Sequence, residues 1–199
     1  MKRKVNTPQD AIKALKEGNQ RFVEGKNVFF QNDYKRLLCT SRKQNPFATV
    51  IGCSDSRVPV ELIFDQGIGD LFIIRTAGNT VGDSLTMGTL DYSIYSLGVK
   101  LIIVLGHEGC GGISGAIDCP LTNEKLPGKI PALMHILQKE LLMYVGHPEK
   151  LDEAIHMNIA KQIHRITKHR YVRQQIKKGE LAVIGAYYSL KTGSVRFFE

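Results

Sequence analysis

The sequence predicts an α/β fold with a mostly parallel central β-sheet, flanked by helices and preceded by an N-terminal helical arm. Two short apolar runs, at 48–52 and 101–106, have the length and uninterrupted hydrophobicity of strands buried on both faces. Helical periodicity between and after them is the alternation that gives parallel strands joined by right-handed crossovers. The chain has 199 residues, 43% of them apolar, which is enough for one well-filled core. We therefore expect a single domain over residues 1–199, with the helical arm at 1–40 and the α/β core at 41–199.

The elements can be assigned in order along the chain. Thr7 and Pro8 supply a helix cap and a proline in the first turn, so the arm begins with a helix that runs to about Glu24. The segment 26–47 lacks a regular pattern, apart from a short helix expected around 35–41. The remaining expected elements are strands at 71–75 and 181–187 and helices at 85–97, 130–144 and 151–178.

Three side chains that can bind a metal follow two of the predicted strands. Cys53 ends the first apolar run, and His107 and Cys110 follow the second as a His-x-x-Cys pair. Because open α/β sheets bind ligands beyond the carboxyl ends of their strands, we expect the three side chains to meet there. Two thiolates and one imidazole form a zinc set of three, and catalytic zinc sites use three protein ligands and leave a fourth position for water.

Asp55 and Arg57 suggest how that fourth position is controlled. The Asp55 carboxylate can bind zinc as a fourth ligand, or it can pair with the guanidinium of Arg57. Pairing would keep the carboxylate ionised and turned away from the metal. A site that can open and close predicts catalysis, whereas the alternative is a purely structural ion pair.

Other chemistries of Cys53 explain fewer residues. A cysteine at a strand end is commonly just buried, and Cys53 and Cys110 could also form a disulfide. Four cysteines in 199 residues with no signal-peptide pattern favour a reducing compartment. A phosphatase-type loop needs a longer spacing than separates Cys53 from Arg57, and a cysteine hydrolase leaves Cys110, Asp55 and Arg57 without roles.

The motif Cys-x-Asp-x-Arg after one strand, with His-x-x-Cys-Gly after a later one, resembles the β-class carbonic anhydrases. The resemblance extends to Gln44–Pro46 before the first strand, to Gly69–Asn79 around the second, and to Gly185–Gly193 near the end of the chain. It covers roughly residues 40–199.

The resemblance implies a zinc-dependent lyase that reversibly hydrates carbon dioxide to bicarbonate and a proton, and that forms a homodimer or tetramer. Zinc would be held by Cys53, His107 and Cys110, with Asp55 as fourth ligand in a closed state. Zinc-bound hydroxide would attack CO₂, oriented by the catalytic pair Asp55 and Arg57.

The resemblance also implies four substrate-binding residues, namely Gln44, Phe72, Ala77 and Gly111. Gln44 and the backbone N–H of Gly111 would donate to substrate oxygens, and Phe72 and Ala77 would form apolar walls. Without the resemblance, Phe72 reads as an ordinary core aromatic.

Some positions depart from the family pattern. Asp83 stands near the place where plant-type members have a cleft tyrosine, and Val50 and Leu62 stand where some bacterial members carry the Trp and Arg of an inhibitory bicarbonate site. We therefore expect no inhibitory site of that design. Two other functions stay open: hydrolysis of carbonyl sulfide or carbon disulfide on the same scaffold, and a zinc-binding protein whose site stays closed. In a zinc site that always stays closed, Arg57 would have no function.

The net charge of +8 comes largely from seven Lys and Arg residues between Lys161 and Lys178, a stretch without Asp or Glu. A nucleic-acid surface is one interpretation, but interleaved aromatics and a binding motif are lacking, so we expect a solvated helix face and no nucleic-acid partner. No apolar run approaches the ~20 residues of a membrane span, and we expect a cytoplasmic protein without a membrane partner. One of the five other histidines could shuttle protons.

Overall fold

The computed structural model describes residues 5–28, 33–118 and 126–198. The strands are β1 (Ala48–Cys53), β2 (Leu71–Thr76), β3 (Leu101–His107), β4 (Ala182–Tyr188) and β5 (Val195–Phe198). The helices are α1 (Pro8–Val23), α2 (Asp33–Thr40), α3 (Val60–Ile63), α4 (Ser84–Tyr95), α5 (Gly111–Asp118), α6 (Ile130–Glu140), α7 (Leu151–Lys168) and α8 (Arg170–Lys177).

The strands form one sheet in the order β2-β1-β3-β4-β5, in which only β5 runs antiparallel to its neighbour. The expected mostly parallel sheet is therefore confirmed. The chain leaves β1 toward β2 on one side, whereas β3 lies on the other side and continues to β4. The carboxyl ends of β1 and β3 thus form the topological switch point at which such sheets bind ligands.

The sheet separates two apolar clusters. The cluster on one face contains residues of α4 to α8, and the cluster on the other contains residues of α1 and α3. Strands β1 and β3 are buried along their whole length, because helices cover both faces. The carboxyl ends of these two strands are consequently enclosed by the core.

Helix α1 starts at a capping box, in which Thr7 and Asp10 each bond the other's backbone N–H. The helix packs on the same sheet that carries the predicted site. The Asn19 amide donates to the carbonyls of Ile63 (3.1 Å) and Gly193 (2.9 Å) and accepts from the N–H of Val195 at 2.8 Å. The N-terminal arm is therefore tied to the core by buried hydrogen bonds.

Two helices differ from the sequence-based expectation. The predicted helix 151–178 is broken at His169, whose backbone is extended, so that α7 and α8 are separate. The predicted helix 130–144 ends at Glu140 and is followed by a 3-10 turn. Cys119 lies outside the described residues. Within the described ranges, no helix has both the length and the apolar character needed to cross a membrane.

Candidate metal centre

The three predicted ligands meet at the carboxyl edge of the sheet. Cys53 ends β1, His107 ends β3, and Cys110 lies immediately before α5. All three are buried, and their ligand atoms lie within 4.8 Å of one another. The two sulfurs are 3.9 Å apart, which is too far for the ~2.05 Å of a disulfide bond. The disulfide alternative is therefore wrong.

A tight loop brings Cys110 back toward His107. Gly109 has φ +62°, a left-handed conformation that glycine adopts without steric cost. The following helix α5 directs the N–H groups of Gly112 and Ile113 at the Cys110 sulfur. This helix N-terminus stabilises negative charge on the sulfur.

His107 presents a free lone pair to the two sulfurs. Its side chain is fully buried, and its Nδ1 lies 2.9 Å from the carbonyl oxygen of Glu108. With the proton on Nδ1 donated to that carbonyl, Nε2 is an acceptor, and it has no hydrogen-bond partner among the described residues. A buried imidazole nitrogen of this kind is costly unless something binds it. The donor set fits zinc, which takes Cys and His ligands in tetrahedral geometry.

The two thiols interact directly. The hydrogen bond between them lowers the pKa of Cys53 and raises the pKa of Cys110. Both cysteines would bind zinc as thiolates, so metal binding would release protons.

Asp55 and Arg57 are paired beside the cluster. Arg57 donates from Nε to Asp55 Oδ1 (3.0 Å), from Nη2 to Oδ2 (2.8 Å) and from its backbone N–H to Oδ1 (2.9 Å). The side-chain hydrogen bonds from Arg57 hold the pKa of Asp55 well below its usual range. Asp55 Oδ2 nevertheless lies 4.0 Å from His107 Nε2. The carboxylate is thus adjacent to the ligand cluster while bonded to Arg57, as in the open arrangement predicted from the sequence.

Comparisons with known proteins agree with this geometry. The family profile described as carbonic anhydrase matches residues 48–195. Carbonic anhydrase 2 of Mycobacterium tuberculosis is 35% identical over 192 residues, covering 94% of this chain and 90% of the relative. The solved structure of the β-carbonic anhydrase CcaA superposes with a TM-score of 0.74 at 29% identity and covers 95% of each chain.

The chain belongs to the β-class carbonic anhydrase family. A tetrameric β-carbonic anhydrase of Sordaria macrospora shares the fold, with a TM-score of 0.71 at 24% identity, over 95% of this chain and 97% of the other. The resemblance inferred from the Cys-x-Asp-x-Arg and His-x-x-Cys motifs is confirmed.

The four residues that resemble the family's substrate-binding positions lie in two places. Ala77 follows β2 directly, where Thr76 is the register partner of Cys53, and Gly111 follows Cys110. Both are therefore next to the ligands.

Gln44 and Phe72 are not brought to the cluster of their own chain. Gln44 is exposed before the amino end of β1, and the six residues of that strand span about 20 Å. Phe72 pairs in register with Thr49, four positions before the Cys53 level, and packs against Tyr92 with ring centroids 6.1 Å apart. The strand direction explains the separation, since both residues lie at the opposite edge of the sheet from the ligands.

Asp83, which the resemblance puts near the cleft tyrosine expected in plant-type members, caps α4. Its carboxylate accepts the N–H groups of Leu85 and Thr86, each at 2.9 Å. Val50 is fully buried within β1. These positions serve the framework of the fold in this chain.

Two supporting residues were missed by the sequence analysis. Arg75 donates to the carbonyls of Cys53 (2.9 Å) and Asp55 (2.6 Å), and so holds the loop between them from the neighbouring strand. Glu108 accepts from Ser189 Oγ at 3.0 Å and pairs with Lys191 Nζ at 2.8 Å, which ties the His107 loop to the β4–β5 hairpin. The sequence around Arg75 and Glu108 does not indicate these partners, because the partners are distant along the chain.

Proposed function

We propose that this protein binds zinc through Cys53, His107 and Cys110 and catalyses the reversible hydration of CO₂ to bicarbonate and a proton. The observation that carries the proposal is the buried, unpartnered Nε2 of His107, which faces two free thiols within 4.8 Å. Membership of the carbonic anhydrase family supports the reaction.

Zinc bound there would supply an activated water for attack on the carbon of CO₂. Asp55 is a carboxylate and can only accept hydrogen bonds, so it would orient the reacting water by accepting a hydrogen bond from it. Arg57 keeps Asp55 ionised and in place through two side-chain hydrogen bonds. Loss of Arg57 would free Asp55 to move the short distance to the fourth ligand position, which is the closed state.

In this proposal Ala77 and Gly111, which lie next to the ligands, contact the substrate. The methyl side chain of Ala77 would offer an apolar contact to CO₂, which has no net dipole, next to Thr76, the register partner of Cys53. The backbone N–H of Gly111, at the start of α5, can donate to an oxygen of CO₂ or bicarbonate.

We further propose that the protein is a homodimer or a tetramer. Helix α4 exposes Leu85 (79%), Tyr92 (47%) and Tyr95 (83%), although its opposite side is in the core. An exposed apolar face beside the free edge of β2 marks an association surface. In such an assembly Gln44 and Phe72, which are remote from their own cluster, would contact substrate only at the site of a second copy.

We also propose a cytoplasmic location, because Cys39, Cys53 and Cys110 are free thiols in the part of the chain that the structure describes. The proposal does not include a nucleic-acid partner. The basic residues of α7 and α8 are exposed, except for Arg165, which is half-buried and pairs with Glu140.

The deciding experiment is stopped-flow CO₂ hydration by protein of measured zinc content, from neutral to alkaline pH. Rapid hydration that is lost on zinc removal and restored by zinc is the expected result. Zinc-replete protein that is inert toward CO₂ at every pH would contradict the proposal. In that event, turnover of carbonyl sulfide would identify the sulfur-substrate alternative, and inertness toward both substrates a permanently closed site.

A further inference from the structure

Helix α7 carries two carboxamides in the core. Asn158 and Gln162 are one helical turn apart, and both have 0% exposure. Carboxamides are seldom fully buried unless their hydrogen bonds hold a specific conformation in place. Neither residue contributes to the metal cluster directly, so their role has to be found through their partners.

Their partners belong to one short segment after β2. Asn158 Nδ2 donates to the carbonyl of Gly78 at 2.8 Å, and Gln162 Oε1 accepts the N–H of Val81 at 3.1 Å. Gln162 Nε2 also donates to Asn158 Oδ1 at 3.0 Å, which fixes the orientation of the Asn158 amide. The two side chains therefore clamp the segment 78–81 at both ends.

This segment cannot hold its own conformation by regular secondary structure. Gly78 has φ +67° and ψ +25° inside the 3-10 turn Ala77–Asn79, and Asn79 also has a positive φ of 45°. Positive φ at a residue other than glycine costs energy and persists only when surrounding contacts impose it. The carboxamides of α7 supply such contacts.

Gly78 lies beside the metal cluster, two residues after Thr76, which is the register partner of Cys53. Its backbone N–H faces the Cys53 thiol and adds a small part to the lowering of that thiol's pKa, which the hydrogen bond from Cys110 dominates. Helix α5 supports the same residue from behind, since a Cβ on Gly112 would lie only 3.1 Å from the Gly78 nitrogen. A shift of the segment 78–81 would therefore change the surroundings of the Cys53 sulfur.

We infer that Asn158, oriented by Gln162, is a positioning residue for the metal centre, which holds the segment 78–81 in place between the end of β1 at Cys53 and the start of α5. The inference rests on the proposed zinc site. Hydrogen bonds to ligand atoms orient them and tune their donation to the metal, and removing such a partner typically costs about 10–100-fold in metal affinity or activity. The proposed coupling runs from the carboxamides of α7 to the Gly78 backbone, from there to Cys53, and from Cys53 to the metal.

The test uses Asn158→Leu, which keeps the branching of the side chain at Cγ and removes the donor. We expect about a 10-fold or greater loss of zinc affinity, measured against a chromophoric chelator. In the Co²⁺-loaded protein, we expect the thiolate-to-cobalt charge-transfer band to shift, since displacement of the segment 78–81 changes the alignment of the Cys53 sulfur with the metal. Gln162→Leu should shift both readouts in the same direction by less.

Gln138→Leu is the matched control. Gln138 is also a buried carboxamide, but it lies on α6 and donates to the carbonyl of Ala116 at 3.0 Å. We expect wild-type zinc affinity and an unchanged cobalt spectrum for this variant. A Gln138→Leu protein that reproduces the changes of Asn158→Leu would overturn the inference, because the effect would then be that of any lost buried amide.

Folding is checked by circular dichroism before metal is measured. A folded Asn158→Leu protein with wild-type zinc affinity and cobalt spectrum overturns the inference and leaves the proposed function intact. If Asn158→Leu does not fold, Gln162→Leu decides by the same criteria. Wild-type protein that binds neither zinc nor cobalt would instead overturn the proposed function.

Discussion

The two edges of the central sheet contrast in what they contain. At the carboxyl edge of β1 and β3, Cys53, His107 and Cys110 converge within 4.8 Å, with Asp55 and Arg57 beside them. At the amino edge lie Gln44 and Phe72, which belong to the same family pattern but have no ligand cluster next to them. The comparison teaches that one chain brings the three candidate ligands together by itself, whereas under the proposed dimer the full set of substrate contacts would need a second copy.

The largest expected effect comes from removing a ligand at the carboxyl edge. Cys53→Ser exchanges a thiolate for a hydroxyl, which binds zinc poorly. We expect zinc affinity to fall by more than the ~100-fold typical of losing an outer hydrogen-bond partner, and CO₂ hydration to be lost with it. Metal analysis after dialysis measures the first effect.

Cys39→Ser is the control for that experiment, because Cys39 is an exposed free thiol in α2. It should leave zinc content and activity unchanged. Retention of zinc by Cys53→Ser would show that the carboxyl edge is not the metal site.

The second effect is expected at Arg57. In Arg57→Ala, Asp55 loses two side-chain hydrogen bonds and is free to turn onto the metal. Zinc should be retained, while CO₂ hydration should fall by about 100-fold, as for other reacting groups that lose their alignment. Arg42→Ala, at an exposed arginine, should have wild-type activity. Full activity of Arg57→Ala would rule out a role for the pair in catalysis.

The pH dependence of the wild-type enzyme separates Asp55 from other groups. Because Arg57 depresses the pKa of Asp55, the carboxylate is ionised throughout the neutral and alkaline range. Stability contributed by the ion pair is present above the ordinary Asp pKa and is lost only as the pH falls through the depressed value. A rise of activity with pH near neutrality must therefore come from a different ionisation or from release of Asp55 from a closed state.

Local motifs were sufficient to predict the metal set, because each ligand follows a strand whose burial is visible as an apolar run. The sequence could not place Arg75 or Glu108, whose partners lie on other strands and in a hairpin. It could not reveal Asn158 and Gln162 either, since polar residues on an amphipathic helix are expected to face solvent. The resemblance grouped Gln44 and Phe72 with Ala77 and Gly111, although strand direction separates these pairs within one chain.

A third prediction tests the amino edge by subunit complementation. Gln44→Ala should lower activity, and Cys53→Ser should be inactive for lack of metal. If Gln44 acts at the site of a second copy, then co-expression should create hybrid dimers with one intact site, made from the ligands of one subunit and Gln44 of the other. Activity in purified hybrids would then exceed that of either variant alone.

The same experiment can also contradict the prediction. If Gln44 acted on its own chain's metal, or on none, a hybrid would contain no complete site, and its activity would not rise above that of Gln44→Ala. That result would contradict the proposal that the carboxyl edge of one subunit and the amino edge of another form one site.

The smallest expected effect concerns the framework of the amino edge. Thr49 and Ser93 are fully buried, and their hydroxyls are 2.8 Å apart between β1 and α4. Thr49→Val preserves shape and removes that hydrogen bond, so we expect the free energy of unfolding to fall by about 1 kcal/mol. Thr167→Val, at a half-buried hydroxyl that bonds its own helix, should cost less. Zinc affinity should be unchanged, since Thr49 lies four strand positions from Cys53, about 13 Å along β1. Urea unfolding and chelator competition measure the two quantities, and a fall in zinc affinity would mean that the two edges of the sheet are mechanically coupled rather than independent.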